Sequence, residues 1–356
     1  MNSKKFNHFK QIKKIHRKEN FIFDRTKYIR LDKNERVNDF QKFFLNKIKS
    51  ELNSNTITTY PNLKKLYLRL SKSLNLNFKN IIVTNGSDLA IKNCFELITK
   101  PNSRVITLNP TYGMVDVYCQ NFLVNQIKVD CNEDLNFDVD EILKKINKNI
   151  SLVIIANPNS PTGKLFNKKD IQKIISKSKK NKCYILIDEC YFDYSKSSVI
   201  NLISKYDNLI ICRSFSKIGL AGCRIGVIIT NSKLRNLLYK FRPFYEISSF
   251  SALVLEIILK NKKIFKDYVN DTLKGKKIVE QYLKNKKISY FSSKTNFMLF
   301  NLQNSLLTKK LFKSFRKNSF LVNMIDISKY KNLIKFTLGP EFIMRKFIQV
   351  INKTVK

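Results

Sequence analysis

Six short apolar runs punctuate the first two thirds of the chain: NIIVTN (80–85), RVITLN (104–109), SLVIIAN (151–157), CYILID (183–188), NLIIC (208–212) and RIGVIIT (224–230). Each is rich in Ile or Val and bounded by Gly, Pro, Asn or Asp, which predicts buried strands. Helical patterns lie between several of them. Residues 88–99 place Leu89, Ile91, Phe95, Leu97 and Ile98 largely on one side, and residues 168–180 behave similarly. Strands alternating with helices predict an α/β fold whose mainly parallel sheet is covered on both faces. Beyond about residue 231 the pattern changes. A long helical stretch (233–286) leads to ISYFSSKTNFMLFNL, then a helix, NLIKFTLGP and a final helix. We expect a loose polar arm over 1–30 and a large domain over 31–235, with a long helix continuing to about 286. A smaller C-terminal α/β domain would fill 236–356.

Composition adds limits. With 356 residues, 43% of them hydrophobic, the chain can build the core of two domains. The formal net charge of +40 has two readings. One is an anionic partner, nucleic acid or membrane surface. The other is drift, since Lys, Asn, Ile and Phe are abundant together and A/T-rich codons encode all four. The basic residues are spread along the chain, which favours drift and argues against nucleic acid. Seven cysteines, an odd number with no CxxC pair, several inside apolar runs, fit buried reduced thiols in a cytoplasmic protein. Two histidines, at 8 and 16, argue against a His-based metal site and exclude a His general base deeper in the chain. No apolar segment follows the basic N-terminus as a signal peptide would require, and no run approaches the ~18 residues of a membrane span.

The candidate chemistry lies at the predicted strand ends, where ligands sit in open α/β sheets. Thr84-Asn85-Gly86-Ser87-Asp88 joins a strand to a helix. It could cradle a phosphate on free helix N–H groups, or be an ordinary cap through Ser87 or Asp88. Asn109-Pro110-Thr111-Tyr112-Gly113 puts Tyr112 where it can stack on a planar ring or simply pack. Asn157-Pro158-Asn159-Ser160-Pro161-Thr162-Gly163 is a stiff turn rich in side-chain donors. Asp188, in Asp188-Glu189-Cys190-Tyr191, ends a buried strand and needs a partner, either a cationic ring N–H or a structural salt bridge. Lys217, in RSFSKIGLAGCRIG (213–226), follows a strand among hydroxyls and small residues. Burial lowers a lysine pKa and supplies the neutral amine that imine formation needs. Arg224 could clamp a phosphate.

SFSK followed by GLAGCRIG, with NPNSPTG and DECY upstream, resembles the class I/II, fold-type-I aminotransferases, and within them the histidinol-phosphate aminotransferases most closely. The match runs from about Ile29 to the C-terminus and includes IRLDKNERV, Tyr60-Pro61, TNGSD, NPTYGM, TNFMLF and IKFTLGP. The resemblance implies a mostly parallel seven-stranded sheet, pyridoxal 5′-phosphate (PLP) as cofactor, and a homodimer with shared active sites. It implies that Lys217 carries the cofactor as a Schiff base and shuttles the proton. Asp188 would keep the ring nitrogen protonated, Tyr191 would bond the ring hydroxyl, and Tyr112 would stack on the ring. Gly86, Ser87, Asp88, Ser214, Ser216 and Arg224 would bind the phosphate, together with Tyr60 from the neighbouring subunit. Asn159 and Ser160 would complete the cofactor site. Asn34, Tyr60, Asn323 and Lys335 would face substrate.

Four departures from the pattern stand out. Ser160 replaces an Asn that helps hold the ring hydroxyl, leaving Tyr191 or Asn159 to compensate. The gap from Lys217 to Arg224 is one residue short, so the loop must close differently. Lys335 and Asn323 stand where the family keeps arginines, and both lose the two-pronged guanidinium grip on an anion. The resemblance therefore implies an aminotransferase with an altered substrate pocket, acting on a small-molecule amino donor and a carbonyl acceptor. Two alternatives stand beside it: a PLP decarboxylase resembling threonine-phosphate decarboxylase, and a non-catalytic basic protein that kept the fold.

Overall fold

The computed structural model describes residues 23–355. Most of the expected N-terminal arm, with His8 and His16, lies outside the described residues. The strands in chain order are β1 (Ile29–Arg30), β2 (Ile81–Asn85), β3 (Arg104–Asn109), β4 (Asn125–Asp130), β5 (Ile150–Ala156), β6 (Tyr184–Asp188), β7 (Leu209–Ser214) and β8 (Ile225–Thr230). They continue with β9 (Ser289–Phe291), β10 (Phe297–Asn301), β11 (Phe320–Leu321), β12 (Asn323–Ile327) and β13 (Tyr330–Thr337).

The large sheet has seven strands in the order β2-β8-β7-β6-β5-β3-β4. Only β8 is reversed, antiparallel to β2 and β7, while the other neighbours run parallel. All six apolar runs are strands of this sheet. The seventh, β4, escapes a search for apolar runs for a physical reason. It is an edge strand, bonded on one side only, and unlike β2 at the other edge its sequence NQIKVD keeps polar side chains toward solvent.

Along each inner strand successive side chains enter opposite cores. Val83, Val153, Ile185, Ile187 and Ile211 join one cluster with Ile171, Ile174 and Ile175 of the helix Lys168–Lys180. Ile82, Leu152, Ile154, Leu186 and Ile210 join the other with Ala90, Ile91 and Phe95 of the helix Gly86–Ile98. The sheet is thus covered on both faces.

The expected continuous helix over 233–286 is three: Ser232–Leu238, Ser249–Lys260 and Lys263–Asn285. Pro243 lies in the first gap, and Ser248 caps the next helix by accepting from Ser251 N–H. A second, four-stranded antiparallel sheet, β12-β13-β10-β9, follows. Its core also takes in Leu31 and Val37 from the start of the described chain. Residues 29–37 therefore pack with the C-terminal unit rather than the large sheet. β1 pairs with β11, and Thr337 N–H donates to Leu31 O (2.7 Å). This strap brings the polar residues after Leu31 to the edge of the large sheet.

Glu189 ties the two central strand ends together. Its Oε2 accepts from Arg213 (Nη2, 2.8 Å) and from Ser198 Oγ (2.7 Å), and its Oε1 accepts from Val199 N–H (2.8 Å). Glu189 follows β6 directly and Arg213 lies in β7, so the pair fixes Asp188 relative to Ser214. Removing one partner from a buried pair of this kind costs about 3–5 kcal/mol, because the other charge is stranded.

Candidate active site

The carboxyl ends of β2, β3, β5, β6 and β7 share one edge of the large sheet. Because β8 is reversed, Arg224 reaches that same edge from just before its first residue. A cavity of about 320 Å³ opens there, lined by Asn34, Ser87, Asp88, Tyr112, Ser160, Asp188, Tyr191, Ser214, Ser216, Lys217 and Arg224, with Lys33, Ala156 and Cys190.

Its electropositive end is built on close backbone approach. Asn85, at the N-cap of Gly86–Ile98, makes no side-chain capping bond, and neither Ser87 nor Asp88 caps the helix. Asp88 instead accepts from Tyr118 Oη (3.0 Å). The first-turn amides are left for a ligand. A Cβ on Gly226 would lie 2.4 Å from the Gly86 carbonyl carbon and 2.6 Å from Ser87 N, while one on Gly86 would lie 2.7 Å from Arg224 Nη2. Two glycines therefore let the Arg224 guanidinium lie against the amides. The shortened loop closes through Gly219 (φ +140°) and Arg224 itself (φ +51°), and Arg224 Nη1 still reaches Ser216 Oγ (3.5 Å).

At the opposite end Asp188 is buried, and burial pushes its carboxyl pKa up, with the Cys190 N–H to its Oδ1 (2.9 Å) opposing that. No salt bridge reaches Asp188 among the described residues; the structural salt bridge belongs to Glu189 instead. Tyr191 is buried, which raises its phenol pKa, while Lys217, Ser160 and Asn34 pull it back. Lys217 Nζ stands 5.8 Å from the centre of the Tyr191 ring. The Lys217 carbonyl is held by Tyr194 Oη (2.9 Å) and Asn296 Nδ2 (3.4 Å). Neither residue was assigned a role from sequence. Asn296 sits in the TNFMLF motif, and that was the available signal.

Asn34, in a left-handed conformation that Asn tolerates (φ +56°), joins three groups. Its Nδ2 donates to Tyr191 Oη (2.8 Å), its Oδ1 accepts from Lys335 Nζ (2.8 Å), and its N–H donates to Thr337 Oγ1 (3.0 Å). Lys335 is only 7% exposed, and burial, then the neighbouring Lys217 charge, lower its pKa to about 7.

Besides Lys335, which stands behind Asn34, the expected site residues Asn159, Asn323 and Tyr60 do not line the cavity. Asn159 spends its amide tying two loops together, donating to Pro110 O (2.9 Å) of the 109–113 loop and to Thr162 Oγ1 (3.1 Å) of its own, and accepting from Thr111 Oγ1 (2.9 Å). It shapes the turn that presents Ser160. Asn323 donates to Asp32 O (2.5 Å) and braces the strap. Tyr60 is 76% exposed and stacks on Tyr245 (centroids 4.1 Å apart) away from this cavity.

The donor set suits a phosphorylated pyridine aldehyde. There are an amine to condense with it, a buried carboxylate for a protonated ring nitrogen, a phenol for a ring hydroxyl, and amides with an arginine for a phosphate. Cys190 and Lys33 line the cavity as well, and the sequence reading gave neither a part.

Comparison with known proteins agrees. The family model "Aminotransferase class I and II" matches residues 27–351. The histidinol-phosphate aminotransferase of Clostridium novyi (strain NT) is 32% identical over 332 residues, 91% of this chain and 90% of that protein. That of Brachyspira hyodysenteriae is 30% identical, covering 92% and 93%. A solved histidinol-phosphate aminotransferase from Sinorhizobium meliloti, in complex with pyridoxal-5′-phosphate, shares the fold with a TM-score of 0.84 at 17% identity, covering 96% of this chain and 97% of that one. The L-threonine-O-3-phosphate decarboxylase of Porphyromonas gingivalis shares it at 0.74 and 19%, covering 91% and 98%. Fold and site together define a PLP-dependent enzyme of fold type I. The chain belongs to the class I and II aminotransferases and is a PLP-dependent aminotransferase of the histidinol-phosphate aminotransferase-like group.

The glycine contact yields a test. Gly226→Ala should push the Gly86–Ser87 amides off their present position. PLP affinity, measured by titrating cofactor-free protein, should fall by at least about tenfold, or 1.4 kcal/mol, with unchanged far-ultraviolet circular dichroism. An unchanged affinity would contradict the cup.

Proposed function

We propose that this chain moves an amino group between an amino acid and the keto counterpart of a histidinol-phosphate-like amine, a small molecule with an anionic headgroup. The observation that carries the reading is the buried run Lys335–Asn34–Tyr191 beside Lys217. A lysine ammonium with no salt bridge among the described residues is a costly thing to bury. A substrate anion at Asn34 would repay it. Lys335 does not line the cavity itself; it aims the Asn34 amide and places positive charge behind it. This arrangement replaces a guanidinium fork with a point charge, which suits a less planar grip on the anion.

In this reading Lys217 would hold the cofactor, and its Nζ would carry the proton that the reaction moves. Asp188 keeps the ring nitrogen protonated. Tyr191, its oxygen already bonded by Asn34, orients the ring hydroxyl with Ser160. Tyr112 covers the ring. Ser87, Ser214, Ser216, Arg224 and the amides of Gly86 to Asp88 hold the phosphate. When bound, PLP supplies an electron sink for the pair released at the substrate carbon. The two half-reactions are ping-pong. The decarboxylase alternative has less behind it, since the 30–32% identical relatives are aminotransferases and the decarboxylase likeness is one of fold at 19% identity.

We also propose a cytoplasmic homodimer. The seven cysteines are all unpaired, and no described helix is long and apolar enough to cross a membrane. Tyr60, Tyr245, Phe244 and Ile57 form an exposed apolar face. A second copy there would bring Tyr60 to its neighbour's cofactor.

Two outcomes follow. Substrate affinity in the anion-bearing half-reaction should weaken as pH rises through about 7, because Lys335 discharges there; a bound anion moves the step upward. Lys335→Arg should remove the step, and Lys335→Ala should raise KM by at least about tenfold with the cofactor chromophore kept. A pH-independent KM, unmoved by Lys335→Ala, contradicts the assignment, and carbon dioxide release without any keto acid contradicts transamination. Sedimentation of the wild type should give a dimer; a fully active monomer refutes the shared site.

A further inference from the structure

Behind the aspartate of the cofactor site stands a pair of thiols that transamination does not use. Cys212 on β7 is the register partner of Asp188 on β6. Cys190 follows Asp188 by two residues, and the chain turns back so that its N–H reaches the Asp188 carboxylate. Asp188 and Cys190 are 7% exposed and Cys212 is fully buried. One ligand atom from each of the three lies within 4.8 Å of the other two. Asp188 and Cys190 also line the cavity, with Ser87 in the same wall, so one side of the cluster faces an open route from solvent.

We propose that the cofactor-free chain binds one thiophilic divalent cation, of the zinc and cadmium class, through Asp188, Cys190 and Cys212, with the fourth position open to the cavity. Two sulfurs and one carboxylate oxygen select zinc-like ions over magnesium or calcium, which want all-oxygen sets. A metal–sulfur distance of about 2.3 Å places two tetrahedral ligands about 3.8 Å apart, so the cluster closes by at most roughly 1 Å. Rotation of Cys190 at the cavity wall supplies that movement. Binding releases both thiol protons to solvent and transfers no electron. The ion brings two positive charges against two thiolates and one carboxylate, leaving a net charge of minus one that Lys217 and Arg224, lining the same cavity, offset. Asp188 engaged by the ion cannot meet a protonated ring nitrogen. Ion and cofactor therefore exclude each other, and a soft metal holds the chain in its unloaded form. Only this competition rests on the aminotransferase reading; the ion site does not.

The test uses the full chain, stripped of PLP and kept reduced without oxygen. Zinc is titrated against a chromogenic chelator, and cadmium is followed by its thiolate charge-transfer band. One equivalent should bind with that band. Cys190→Ala and the near-isosteric Cys212→Ser should each weaken binding by at least about tenfold, while Cys119→Ala, a buried thiol elsewhere, should leave it unchanged. Prior loading with PLP should block uptake. Unchanged affinity in both cluster variants, with native circular dichroism, overturns the site, as does binding without a thiolate band. A chain that takes up the ion but no PLP sinks the cofactor reading and leaves the ion site standing.

Discussion

A carboxylate at the buried end of a strand is the constraint on which the rest of this structure turns. Asp188 sits between two parallel neighbours, screened from water, where burial favours its neutral form. The hydrogen bonds from the Cys190 N–H and the Cys190 and Cys212 thiols, with the Lys217 charge, do not outweigh that burial. A cationic ring nitrogen in the adjoining cavity would, and a cofactor's other groups would then meet residues already in place. The Gly86–Asp88 turn, Tyr191 and Lys217 come from three separate strand ends, yet they meet around one 320 Å³ space because parallel strands deliver their carboxyl ends to a common edge. The reversal of β8 is part of the same logic, since it alone sends Arg224 back to that edge.

Rigidity around the carboxylate comes from its sequence neighbours. Glu189, one residue on, takes the salt bridge that Asp188 does not have. The two acidic residues therefore divide the work: one locks β6 to β7, and the other stays available to a ligand. On the far side, Asn34 and Asn296 connect the strap, β10 and the Lys217 carbonyl. The substrate side of the site is thus assembled from both ends of the chain, and a change in the C-terminal sheet is felt at Tyr191 through two hydrogen bonds.

Much of this was legible in the sequence, and the rest was hidden for identifiable reasons. The five inner strands and the edge strand β2 announce themselves as apolar runs because both their faces are buried. β4, at the other edge, does not, because it keeps polar positions. The helix breaks near Pro243 and Asn261 lie inside a stretch whose periodicity continues across them. Lys217, Asp188, Tyr191, Tyr112 and the Gly86–Asp88 cup were readable because each follows a strand directly. Asn159 lies in a motif that the family resemblance ties to the cofactor, and its amide is engaged by Pro110, Thr111 and Thr162. Asn323 and Lys335 are departures that the family resemblance implies. Only the coordinates show that one braces the strap while the other stands behind Asn34, because contacts 291 and 301 residues apart leave no local trace.

The central claim is that one lysine, in a chain where Lys and Arg total 67 residues, carries the cofactor. Borohydride reduction of PLP-loaded protein fixes the imine, and peptide mass spectrometry then locates it. The account predicts a single phosphopyridoxyl group on Lys217, absent when Lys217 is replaced by Ala. Its appearance on Lys33, Lys335 or a surface lysine, with Lys217 unmodified, would contradict it.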